Sequence, residues 1–188
     1  MGGETGRMLL VDAIGVLEAW SAPDAEQEEL RQHYLRHLSE HADGMWRTCR
    51  PEHVTASALV VDALGEKTLL TLHKTVGRWL QLGGHCEPGD TTLAGAALRE
   101  ATEESGLTGL TVSPQPLQLS RHLLEAGGCA GAYHLDVQFL VTATTDTQYV
   151  VSDESDDLAW FPIDALPQRT DTSVQALAAR ALQHMPQP

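Results

Sequence analysis

A mixed α/β domain preceded by a helical extension is the fold class that this 188-residue sequence predicts. Three observations predict it. Apolar residues recur at helical spacing through residues 7–42, strand-like patterning begins at Val54, and a glycine-rich segment then feeds a helix with further strands beyond it. Strands on both sides of a helix fit a mixed sheet carrying helices, although periodicity alone leaves other α+β arrangements open.

Residues 7–20 and 24–42 read as two helices joined at Ser21-Ala22-Pro23, with Asp24 placed to start the second. In that second helix Leu30, Tyr34, Leu35 and Leu38 form the apolar stripe, and Glu29, Arg31, Arg36 and Glu40 the wet side. Such an amphipathic pair can pack on the main domain or on a second copy of the chain, which would give a homodimer. His33, His37 and His41 lie four apart on one face, where solvated histidines are expected rather than a metal. Trp46 is expected to be buried. The division that follows is a helical extension over 1–51 and a main domain over 52–188.

From Val54 the segments VTASALVVD, KTLLTLH and RWLQL read as strands, with turns at Leu64-Gly65 and Thr75-Val76-Gly77. Beyond the glycine-fed helix come a segment around Val112–Leu119, the alternating strand Tyr133–Thr142 and a last strand near Leu158–Phe161. Pro162 and Pro167 bracket a turn. A final helix over Thr172–His184 has Val174, Leu177, Ala178, Ala181 and Leu182 on its apolar side.

Composition narrows the partners. Twenty-six acidic against 12 basic residues give a formal net charge of −14, which argues against a protein that grips nucleic acid by its phosphates. A small anionic substrate is compatible with that charge only if divalent cations and a few basic groups offset the field. Cys49, Cys86 and Cys129 are odd in number and widely spaced, so neither a disulfide framework nor a CxxC zinc site is expected, and free thiols fit a reducing, cytoplasmic compartment. Asp12 interrupts the short apolar stretch near the N-terminus, and no membrane-spanning segment is expected.

The chemistry concentrates in GHCEPGDTTLAGAALREATEESGL, residues 84–107. On a helix, Glu100, Glu103 and Glu104 fall within roughly a 100° arc beside Arg99. Like charges at such spacings destabilise an isolated helix by about 0.2–0.5 kcal/mol per pair, and Arg99 can neutralise only one of them. The face calls for a cation, and oxygen-only ligands suit a hard one, Mg²⁺ with Mn²⁺ as a substitute. Ala96 and Ala97, one turn earlier, would leave room for a phosphate, while Ala94, Leu98 and Ala101 form a strip for packing on a sheet. Asp90 sits where a helix N-cap would lie.

This segment resembles the signature of the Nudix hydrolase family, in which a Gly is followed after five residues by a Glu and then, after seven more, by Arg-Glu-x-x-Glu-Glu-x-Gly and an aliphatic residue. Gly84, Arg99, Glu100, Glu103, Glu104, Gly106 and Leu107 take those places. Two departures are visible: Asp90 replaces the first Glu, and eight residues separate it from Arg99. The resemblance implies an α/β/α sandwich around a mixed sheet, and a Mg²⁺-dependent pyrophosphohydrolase of a nucleoside diphosphate linked to another moiety. It implies Glu103 and Glu104 as metal ligands, Glu100 as a third ligand or the base, and Arg99 as the residue that orients a carboxylate. Family members often add a Glu shortly before a Trp-Phe strand, and Glu154 precedes Trp160-Phe161 here; the alternative is a solvated acidic loop of Asp153, Glu154, Asp156 and Asp157.

For the substrate, Gly84 allows close backbone approach, and His85 with Lys74 and Arg78 could meet phosphate charge. Along YHLDVQFLVT, His134, Asp136 and Gln138 share one face and either meet solvent or line a substrate cleft. Trp79 reads as packing. Two other functions remain open from sequence: a non-catalytic nucleotide-binding module on the same fold, and a prenyl diphosphate isomerase, which would need an additional cysteine and glutamate pair at the reacting carbon, with Cys86 as the candidate cysteine.

Overall fold

Two helices, α1 (Glu4–Ala19) and α2 (Ala25–Glu40), begin the computed structural model, which describes residues 4–124, 129–144, 148–151 and 155–185. Asp24 caps α2 by accepting the Gln27 N–H at 2.9 Å. Both helices spend their apolar faces inside this chain: Leu9, Ala13 and Leu17 of α1 and Tyr34 and Leu38 of α2 share one core with the main sheet. A second copy is therefore not needed to cover them. Two polar side chains fix α2 to strand β5 (Thr111–Leu123). Gln27 donates to the Leu119 carbonyl and accepts its N–H, at 3.0 and 2.7 Å, and the Tyr34 hydroxyl donates to the Ser120 carbonyl at 2.9 Å. The Gln27 amide thus completes the hydrogen bonding of a strand edge that would otherwise be open.

The remaining strands are β1 (Glu52–Val61), β2 (Lys67–His73), β3 (Trp79–Leu80), β4 (Leu82–His85), β6 (Tyr133–Thr142) and β7 (Ser155–Pro162). Among the described residues they form one mixed sheet in the order β3-β2-β1-β6-β5, with β4 paired to β1 and β7 to β2. Strand β1 is buried along its whole length and runs parallel to β6, from Glu52 opposite Tyr133 to Val61 opposite Thr142. Its other edge is divided: Thr55–Ala58 pair with β4, and Val60 and Val61 with β2. The segment RWLQL is accordingly two short strands broken at Gln81, and Gly83, Gly84 and His85 belong to strand β4.

Alternation along β1 and β6 separates two cores. Val54, Ala56, Ala58 and Val60 join Leu135, Val137, Phe139 and Val141 against α1, α2 and α3 (Leu93–Ser105). Leu59 and Val61 face α4 (Thr172–His184), meeting Val174, Leu177, Ala178 and Ala181. Helices on both faces of a mixed sheet make the α/β/α sandwich. Trp79 packs edge-on to Phe161 in the α4 layer, with ring centroids 4.7 Å apart. Trp46 is partly buried against the larger core. Leu182, expected on the apolar side of α4, is 36% exposed.

The histidines of α2 are not simply solvated. His37 is 4% exposed, and His33 Nε2 lies 2.6 Å from Glu52, which also accepts from Arg121 at 3.0 Å. A buried carboxylate draws the polar face of α2 onto the sheet. None of the described helices is long and apolar enough to cross a membrane.

Candidate functional site

Helix α3 carries the acidic face, and its first turn is held from outside. Thr92, not Asp90, is the N-cap, its hydroxyl accepting the Gly95 N–H at 3.0 Å. The Leu93 N–H is donated to Asp12 of α1 at 2.8 Å. At the other end Gly106 adopts the left-handed conformation, φ 68°, that closes the helix. Asp90 instead turns the preceding loop, accepting the Glu87 N–H at 2.7 Å, and offers both oxygens to Arg99 at 3.1 and 3.0 Å. The residue absent from the family pattern has become a clamp for the motif arginine.

Arg99 organises the site. Besides Asp90, it donates through Nη1 to Glu100 and to Glu103, each at 3.0 Å, and through Nη2 to the His85 carbonyl at 3.0 Å. The bonds to Asp90, and then the neighbouring charge of Glu100, raise its pKa well above the ordinary value. A planar guanidinium can satisfy that many acceptors in one geometry where an ammonium could not. Glu100 lies against Gly84, since a Cβ there would fall 2.9 Å from its Oε1. Glu104, one turn on, accepts the Gly83 N–H at 3.2 Å. The side chain of Glu103 is the open one, 59% exposed against 15% for Glu100.

Glu100 and Glu104 therefore rest against strand β4, and Arg99 holds the more exposed Glu103 beside Glu100. Asp90, Glu100 and Glu103 make three carboxylates around one guanidinium, and Glu104 adds a fourth one turn on, a surplus of negative charge built solely from oxygen donors. This donor set fits a hard divalent cation, which Glu100, Glu103 and Glu104 would hold. Ala96 and Ala97, by contrast, are fully packed into the core at 1% and 0% exposure, so they offer no room for phosphate. They seat α3 on the sheet.

Other predicted residues lie elsewhere. Asp136 is 3% exposed and accepts from Thr55, Ser57, Gln81 and Gln138 at 3.0, 2.7, 3.1 and 2.9 Å, so it anchors a buried network and lines no open cleft. His85 and His134 turn their rings toward each other, centroids 4.9 Å apart, and burial, followed by neighbouring histidines, lowers their pKa values to about 4 and about 2. Neutral, inward-facing rings do not meet phosphate charge. Arg78 pairs with Asp171, the cap of α4, at 3.2 Å. Cys86 is 6% exposed and its thiol is pushed up to about 12, chiefly by burial. Glu154 lies outside the described residues.

Two arrangements escape sequence reasoning. The Asp12 bond to Leu93 joins residues 81 positions apart, and an interrupted apolar stretch was its only trace. His53 joins His85 and His134 because β4 and β6 flank β1, a pairing no local spacing records.

A NUDIX domain model matches residues 51–182. No curated protein sequence matches the chain. Among solved structures, a Nudix-family hydrolase from Clostridium perfringens is similar at 25% identity and a TM-score of 0.58, over 70% of this chain and 97% of that one. An Ap4A hydrolase from C. elegans superposes with a TM-score of 0.57 at 20% identity, covering 70% of this chain and 96% of its own. The E. coli dihydroneopterin triphosphate pyrophosphohydrolase gives the same TM-score, 0.57, at 18% identity over 71% and 97% of the two chains. The last two likenesses concern the fold alone. With the family model spanning most of its length and the carboxylate-bearing helix in place, the chain belongs to the Nudix family.

Proposed function

We propose that this protein is a Mg²⁺-dependent pyrophosphohydrolase that cleaves a phosphoanhydride in a nucleoside diphosphate linked to another moiety. The observation that carries the reading is the clustering of Glu100 and Glu104 against strand β4, with Arg99 bridging Glu100 and Glu103. Bound there, a divalent cation supplies charge neutralisation of the diphosphate and a lowered pKa for the attacking water. The chain's own residues do the rest. Arg99, tied to Asp90 and to the His85 carbonyl, fixes the rotamers of Glu100 and Glu103, so the carboxylates need no reorganisation when substrate arrives. Glu103 and Glu104 would hold the cation, and Glu100 would serve as a third ligand or take a proton from water, a contribution on the order of 10²–10⁴-fold. Gly84 lacks the side chain that would push Glu100 aside.

A panel of nucleoside diphosphate derivatives, assayed with Mg²⁺ and with product masses identified, tests the reading. Wild type should release monophosphate products, and Glu103→Gln and Glu104→Gln should each lose most turnover. A folded wild type that turns over no member of the panel would favour the non-catalytic binding module instead.

A further inference from the structure

A second group of ligand atoms lies beyond the carboxylates, and its chemistry is different. Strand β1 places His53 directly opposite His134 of β6, and β4 brings His85 alongside, paired with Thr55 and so two residues diagonal from His53. Cys129 joins them from the connection between β5 and β6. One ligand atom from each of the four lies within 4.8 Å of every other. His53 Nε2 and His85 Nε2 are 3.2 Å apart, and Cys129 Sγ is 3.5 Å from His85 Nε2. Around a tetrahedral zinc with Zn–N near 2.0–2.1 Å, two nitrogens sit about 3.3 Å apart.

Two further features point to a ligand. His134 Nε2 is buried and has no hydrogen-bond partner. Leaving such an atom unsatisfied costs about 1–3 kcal/mol, which a fourth-party lone-pair acceptor would remove. His53 Nδ1 lies 3.3 Å from the Cys49 carbonyl, so its N–H is donated outward and the Nε2 lone pair faces the cluster. That is how a metal-binding imidazole is oriented.

We propose that His53, His85, His134 and Cys129 form a zinc site. Three imidazoles and one thiolate are a borderline-soft set that selects Zn²⁺ over Mg²⁺, the reverse of the glutamate face. Binding replaces the Cys129 thiol proton, which passes to solvent, and the three histidines coordinate as neutral rings. Four protein ligands leave no open position, so the site is structural. It ties β4, β1, β6 and the β5–β6 connection together. His85 belongs to both sites: its ring would ligate zinc while its carbonyl accepts from Arg99 at 3.0 Å. Zinc would thereby fix the strand on which Glu100 and Glu104 rest.

The test uses the full chain without a polyhistidine tag, stripped with chelator and titrated with Co²⁺ as the spectroscopic probe for zinc. We expect saturation near one equivalent, with tetrahedral ligand-field bands and a thiolate-to-cobalt charge-transfer band, and Zn²⁺ displacing Co²⁺. Cys129→Ser should abolish the charge-transfer band, and His134→Ala should weaken binding on the order of 100-fold. A Glu103→Gln, Glu104→Gln double variant should keep the full spectrum, which separates this site from the carboxylates whatever the enzymatic assay gives. Wild type without a tetrahedral thiolate spectrum would overturn the proposal irrespective of how the variants fold. So would a charge-transfer band that survives Cys129→Ser.

Discussion

Adjacent glycines on β4 should respond to the same added methyl in opposite ways. At Gly83, φ is +150°, and a Cβ would fall 2.2 Å from Ser57 Cβ, 2.5 Å from Ser57 Cα and 2.8 Å from the Ala56 carbonyl oxygen. Those atoms belong largely to the main chain of β1, which β4 and β6 hold from both sides. The methyl can be seated only by parting the strands. Strain and overpacking together put the cost of Gly83→Ala at about 3–5 kcal/mol. For a chain of this size that lowers Tm by roughly 6–20 °C. At Gly84 the obstruction is a carboxyl group, with Glu100 Oε1, Cδ and Oε2 at 2.9, 3.0 and 3.1 Å. The end of a flexible side chain can swing away, so Gly84→Ala should cost less than about 1 kcal/mol, but Glu100 must then leave its place beside Arg99. A displacement of that size at reacting geometry is worth about 10²-fold in turnover. Thermal melts, Mn²⁺ titration calorimetry and the diphosphate panel on both variants supply the measurements. The expected pattern is an early melt for Gly83→Ala and, for Gly84→Ala, a near-native melt with weakened Mn²⁺ binding and lost turnover. If Gly84→Ala bound Mn²⁺ and turned over substrate like wild type, the placement of Glu100 against β4 would have no functional meaning.

Removing the Asp12 carboxylate by Asp12→Ala should cost about 1 kcal/mol, because the Leu93 N–H loses its acceptor; Asp12→Asn should melt no lower than wild type at pH 7, since burial raises the Asp12 pKa and its charge opposes folding there. Arg99→Lys should lower stability by about 1–3 kcal/mol and weaken Mn²⁺ binding, because one ammonium cannot serve Asp90, Glu100, Glu103 and the His85 carbonyl together. Burial lowers the pKa of His37, against the opposing pull of Glu52 and with smaller lowering from His41 and His33. A depressed histidine pKa means that the unfolded chain binds the proton more readily. The stability this group contributes is therefore full above its ordinary pKa near 6.5 and falls as pH drops below it, by at most about 1.4 kcal/mol per pH unit. Urea midpoints for wild type and His37→Gln between pH 7.5 and 5 should show the flatter dependence in the variant, and parallel curves would refute the assignment.

Element identity was legible wherever the determinant is local. The stripe of Leu30, Tyr34 and Leu38, the alternation of Tyr133–Thr142 and the cap at Asp24 each encode their element within a few residues, and α4 falls at its expected bounds. The acidic face of α3 was legible for the same reason: 3.6 residues per turn place Glu100, Glu103 and Glu104 together without reference to the rest of the chain. What failed depended on distant partners. Ala96 and Ala97 lie on the side of α3 that α1 and the sheet enclose, so small residues there signal tight packing and not space for ligand. Asp90 reads as a cap until the structure brings Arg99 onto both its oxygens. The polar face of β6 divides in the same way, Asp136 satisfied by donors from β1 and Gln81, and His134 drawn to His53 and His85.

The bond from Asp12 to the Leu93 N–H, with Leu9, Ala13 and Leu17 beneath it, alters what can be cut away from this protein. A fragment beginning at residue 51, where the family match starts, would retain every catalytic candidate and yet bare the apolar flank of the helix that bears them. Excision at that point should yield an aggregating product, and a fragment that keeps α1 should not.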